Sequence, residues 1–139
     1  MTPQAAETAG ATLVTKDELL RRADVVTIHL ILSNRTRGLF GSADLALMKP
    51  TSWLINTSRG PIVDEAALVQ ALKLRAIGGA ALDVFDTEPL PADHAFRTLD
   101  NVLATPHIGY VGEDLYHTFF QDAAATIGAW LDEKAGKKA

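Results

Sequence analysis

At 139 residues the chain has the length of one ordinary domain, and its 47% hydrophobic, 22% charged and 6% aromatic composition excludes collagen-like, mucin-like and disordered chains. With no cysteine there are no disulfides, thiolate zinc sites or cysteine nucleophiles, and a net charge of -4 without basic clustering argues against nucleic acid as a partner. No apolar run approaches the roughly 20 residues of a bilayer span and the first residues lack the order of a signal peptide, so a cytoplasmic protein with no membrane partner is expected.

In chain order, Thr2-Pro3, an Ala-rich stretch and Gly10 predict a short helix with a hydroxyl cap, a first-turn proline and a glycine exit. Ala11 to Val14 predicts a short strand. Thr15-Lys16-Asp17-Glu18 reads as a capping box that opens a helix to about Arg22. The β-branched, apolar run Val25 to Leu32 suits a strand covered on both faces. Ser42 is expected to cap a helix through Met48, which Pro50 stops, and Ser52 to Asn56 to form the next buried strand.

Asp64-Glu65 places negative charge where a helix begins, with Leu68, Val69 and Leu72 as its buried stripe to about Arg75. Gly78 to Val84 predicts a strand of small residues, and after a loop rich in Pro, Asp and Thr, Val102 to Ala104 predicts another. From Glu113 a last helix carries Leu115, Phe119, Ala123, Ile127 and Trp130 on one face, followed by a basic, solvated tail. Strands alternating with helices predict an α/β fold: a doubly wound parallel sheet, Rossmann-like, with right-handed crossovers.

Ligands of such sheets bind beyond the carboxyl ends of the strands. Three strand exits carry chemistry: Thr57-Ser58-Arg59-Gly60-Pro61, then Asp83 through Glu88 and Pro89, then Thr105-Pro106-His107-Ile108-Gly109. Arg59 can present a planar fork to a small carboxylate, with Gly60 letting a substrate approach the backbone. His107, restrained behind Pro106, suits a general acid and base, and Glu88 is the natural carboxylate to orient its ring. Together they read as the protein's half of a dehydrogenase, a nicotinamide supplying the other half. His29, His94 and His117 read as structural, Asp86 and Asp93 as turn carboxylates, and no spacing resembles a metal-ligand set, so no metal is expected.

These blocks, with Ala23-Asp24-Val25-Val26, Leu47-Met48-Lys49-Pro50 and Ala81-Leu82-Asp83-Val84-Phe85, resemble the C-terminal two-thirds of the nucleotide-binding domain of the D-isomer-specific 2-hydroxyacid dehydrogenases, along essentially the whole of this chain. The resemblance implies that Arg59 binds the substrate carboxylate, His107 is the acid and base, and Glu88 is its partner. It further implies NAD as cofactor, with NADP equally open, held by Leu30, Ile31, Thr57, Ser58, Arg59, Asp83, His107 and Gly109. Within these, Asp83 receives the nicotinamide carboxamide and Leu30 and Ile31 cover the adenine. Formate dehydrogenases, whose histidine pairs with glutamine, resemble the chain less.

No Gly-x-Gly-x-x-Gly occurs in the sequence. The resemblance therefore implies an incomplete sheet without its first two strands and without the separate substrate domain. Residues 1–112 are expected to form the partial dinucleotide-binding domain, and 113–139 a helix that returns to the substrate domain and ends in the basic tail. The implied partners are a small 2-oxo or 2-hydroxy acid and, in the full-length family, a second copy in a homodimer. The alternative is a non-catalytic remnant that associates with itself through a bare sheet edge and the aromatic helix.

Overall fold

The computed structural model describes residues 2–136; Met1 and, in the basic tail, Lys137 and Lys138 lie outside them. Two compact units, Met1–His107 and Ile108–Ala139, divide the chain. In the first, helix α1 (Pro3–Thr8) starts as expected, the Thr2 hydroxyl accepting the Ala5 N–H, and Gly10 leaves it with φ of +70°. Helix α2 (Lys16–Arg22) forms only half of the expected capping box. Thr15 accepts the Glu18 N–H, but the Glu18 carboxylate takes a 2.6 Å bond from Arg22 instead of reaching back.

Strands β1 (Val25–Ile28), β2 (Trp53–Asn56), β3 (Gly79–Leu82) and β4 (Val102–Ala104) form a parallel sheet in sequence order. Val26 stands beside Leu54, Leu54 beside Ala80 and Ala80 beside Val102. Helices α3 (Ser42–Leu45) and α4 (Glu65–Lys73) connect the first three strands. The sheet face carrying Val26, Ile28, Leu54, Ala80 and Leu82 packs on Leu45, Met48, Leu68 and Leu72 in one continuous core. At the alternate positions Val25 is 54%, Trp53 40% and Leu103 62% exposed, because strand side chains alternate and this face has no packed layer among the described residues.

Four further expectations change. Ala11 to Val14 is not a strand, since no neighbouring strand offers it a ladder. β1 stops at Ile28 where its pairing with β2 stops, and it is covered on one face rather than two. Gly41, not Ser42, caps α3: Asp44 reaches back to accept the Gly41 N–H at 3.0 Å. That helix ends at Leu45, after which Leu47 and Met48 tighten onto the carbonyls three residues back. At α4 the expectation holds, Asp64 accepting the Ala67 N–H at 3.0 Å, though the helix ends at Lys73 and Val69 is only half-buried beside Leu68 and Leu72.

The second unit contains α5 (Glu113–Lys134), which begins where expected and has no buried residue. Phe119, Phe120, Ile127 and Trp130 are exposed along it. Among the described residues no helix is long and apolar enough to cross a membrane.

Candidate active site

Parallel pairing brings the ends of β2, β3 and β4 to one rim, and each exit is braced by a polar residue. Asn56, buried at the end of β2, accepts the Ser58 N–H at 3.0 Å and donates to the Arg59 carbonyl at 2.9 Å, so one amide shapes the Thr57 to Arg59 turn. The Ser58 hydroxyl donates to the Ile28 carbonyl at 2.7 Å, tying this turn to the end of β1. Thr57 is exposed beside it. The exposed Arg59 guanidinium donates to the Ser58 carbonyl at 2.6 Å.

Gly60 has a different role from the one its sequence context implies. It is buried, and a Cβ built on it would lie 2.1 Å from the Phe85 carbonyl carbon. The glycine lets the β2 exit lie against the β3 exit, bringing Arg59 toward the segment that bears Glu88, rather than opening the backbone to a substrate.

At the end of β3, Asp83 is buried and accepts a 2.6 Å bond from the Thr105 hydroxyl, which joins this exit to that of β4. Glu88 folds back so that one carboxylate oxygen accepts the Phe85 N–H at 2.9 Å. The other lies 2.6 Å from Nδ1 of His107. A carboxylate only accepts, so Nδ1 carries the proton in this contact. His107 has φ of +56°, a left-handed backbone that costs a residue with a Cβ roughly 1 kcal/mol.

Partial burial pushes the Glu88 carboxyl up. The His107 hydrogen bond, the Phe85 N–H and the charges of His107 and Arg59 together outweigh burial and hold it below its ordinary range. Arg59, Glu88 and His107 are thus electrostatically one cluster, as their positions at three strand exits lead one to expect.

Leu30 and Ile31 line a cleft of about 330 Å³ with His29, Leu32, Ser58 and Arg59. Leu30 is 43% and Ile31 88% exposed, apolar side chains standing where a flat base could cover them, so the cleft suits part of a dinucleotide. Gly109 belongs to the second unit. His29 sits just past β1 rather than inside it, its ring nitrogen 3.0 Å from the Thr27 hydroxyl. Sequence reasoning named Thr105 only as part of its exit motif and gave Asn56 no role beyond closing a strand. For Asn56 there was a signal: an amide closing an otherwise apolar strand must satisfy its own donors and acceptors.

A parallel sheet with a braced arginine, glutamate and histidine at its carboxyl rim defines an α/β dinucleotide-binding protein. The family profile "D-isomer specific 2-hydroxyacid dehydrogenase, NAD binding domain" matches residues 1–109, and the chain belongs to that family. It is 42% identical to glyoxylate/hydroxypyruvate reductase B of Citrobacter koseri over 135 residues, covering 97% of this chain and 41% of that protein. Phosphoglycerate oxidoreductase from Vibrio cholerae o395 superposes with a TM-score of 0.87 at 36% identity, over 94% of this chain and 42% of that one. The NAD-complexed D-isomer-specific 2-hydroxyacid dehydrogenase of Lactobacillus delbrueckii ssp. bulgaricus does so with a TM-score of 0.77 at 28% identity, over 100% and 45%. The chain thus spans about two-fifths of the length of these relatives.

A native carboxyl with a lowered pKa stabilises the fold above its unfolded pKa and loses that stabilisation as pH falls through the native value. Urea unfolding of wild type and Glu88→Gln is therefore expected to differ most above the ordinary glutamate range, about pH 4.3. The two stabilities should converge as pH falls below it. A pH-independent difference would contradict the Glu88 assignment.

Proposed function

We propose that the chain supplies the cofactor-binding and acid-base part of an oxidoreductase acting on CH–OH donors, converting a small 2-oxo acid into its 2-hydroxy acid and back. The observation that carries this reading is the 2.6 Å contact between Glu88 and Nδ1 of His107, beside Arg59, at the rim of a dinucleotide-type sheet. Arg59 binds the substrate carboxylate through its planar fork, fixing the adjacent carbonyl against His107. With Nδ1 held by Glu88, His107 gives a proton from Nε2 to the carbonyl oxygen in reduction and takes it back in oxidation. Glu88 fixes the orientation of its ring and keeps the proton on Nδ1.

The nicotinamide, when bound, supplies or accepts the hydride at the substrate carbon. Leu30 and Ile31 would cover the adenine, Thr57 and Ser58 flank the nicotinamide, and Asp83 receive its carboxamide, with Arg59 and His107 completing the contacts. NAD is the cofactor that the family profile names. Glyoxylate and hydroxypyruvate, which the name of the Citrobacter koseri relative carries, are the first substrates to test.

A second reading, association of two copies, is favoured by the exposed Val25, Trp53 and Leu103 on the open sheet face. The two combine in a homodimeric enzyme acting in the cytoplasm.

The test is NADH oxidation with these 2-oxo acids, for the 139-residue chain and for the protein extended upstream in frame, with sedimentation of each at micromolar concentration. Activity is expected in the extended protein, where Arg59→Ala raises KM and His107→Gln lowers kcat by roughly 100-fold or more. Silence in both proteins, or full activity in either variant, would overturn the catalytic reading, and a monomer in both would overturn the dimer.

A further inference from the structure

Glu88, whose side chain reaches His107, hangs on a loop, and a loop alone does not hold a 2.6 Å contact between two partly exposed groups. Between the end of β3 and the 3-10 turn Ala95–Arg97, that loop is tied to α4 through a single carboxylate. Glu65, the first residue of α4, accepts the Asp86 N–H at 3.2 Å through one oxygen. Its other oxygen lies 3.1 Å from Nε2 of His94.

The tautomer is determined. His94 Nδ1 accepts the Phe96 N–H at 3.2 Å, so in the neutral ring the proton sits on Nε2 and points to Glu65. Both side chains are largely enclosed, 19% exposed for His94 and 24% for Glu65. The two tie points bracket Glu88, at Asp86 before it and His94 after it. Arg97 closes the far side of the loop by donating to the carbonyls of Leu90 and Pro91 at 2.7 and 2.8 Å.

We infer that Glu65, with His94, is a positioning residue for the acid-base pair: its carboxylate clamps both ends of the loop onto α4 and so holds Glu88 against His107. The catalytic meaning of this clamp rests on the reading proposed above; the clamp itself does not. The effect of Glu65 and His94 travels through the backbone from Asp86 to Glu88 and reaches Nδ1 of His107.

The sign of one titration separates clamping from mere charge. Removing the Glu65 carboxylate takes away negative charge, which on its own lets Glu88 ionise more easily and lowers its pKa. Loosening the loop weakens the His107 hydrogen bond that holds the Glu88 pKa down, and so raises it.

The experiment follows the Glu88 side-chain carboxyl by 13C NMR against pH in the 139-residue chain, as wild type, Glu65→Ala and Glu65→Gln, with His107→Ala, which has no side-chain donor, marking a fully broken pair. Glu88 is expected to titrate higher in Glu65→Ala, toward its position in His107→Ala. In Glu65→Gln, whose amide oxygen can still accept one N–H, it should lie between wild type and Glu65→Ala. An unchanged or lower Glu88 titration in the folded variants would overturn the proposal; should Glu65→Ala not fold, the sign in Glu65→Gln decides alone. No cofactor or substrate enters the measurement, so its outcome is independent of whether the dehydrogenase reading survives.

Discussion

Parallel pairing forces the carboxyl ends of neighbouring strands onto a common rim, and everything that reads as chemistry in this chain follows from that constraint. β2, β3 and β4 are only three or four residues long, yet their register sets the exits at Asn56, Leu82 and Ala104 side by side. Arg59, Glu88 and His107, separated by 29 and then 19 positions in the sequence, come to this rim because each follows a braced strand exit, Glu88 and His107 in direct contact and Arg59 near enough for its charge to act on Glu88. The contact that results, Glu88 on Nδ1 of His107, fixes the ring at the rim.

Holding that contact has a structural cost that the fold absorbs. His107 keeps a left-handed backbone, Gly60 gives up a side chain so that two loops can touch, and Asn56 spends both ends of its amide on one turn. None of these improves the core. They make sense as devices that restrict where the three side chains can point, which is how strain and small residues collect at functional sites. The clamp at Glu65 and His94 belongs to the same set of constraints, supplied from a helix instead of from the rim itself.

Much of the fold was legible in the sequence wherever a local physical rule decided the outcome. Thr2, Thr15 and Asp64 cap helices because hydroxyl and carboxylate side chains satisfy orphan N–H groups, whatever lies elsewhere in the chain. Features that depend on a partner were less legible. Ala11 to Val14 has strand-like residues and no ladder, and the run beginning at Val25 is apolar at positions that one packed layer leaves exposed. The helix begins one residue earlier than Ser42 suggests because Asp44, three residues into it, reaches back to accept the Gly41 N–H. The three rim residues could be named from their positions after strands, whereas Glu65 and His94, 29 residues apart, gave no sign that they share a bond.

The account rests most directly on which nitrogen of His107 carries the proton. A long-range 1H–15N NMR spectrum of the chain reads this for the neutral ring. The expected result is a proton on Nδ1 that is lost from that position in Glu88→Gln. A ring protonated on Nε2 in the wild type, indifferent to the Glu88 substitution, would contradict the account.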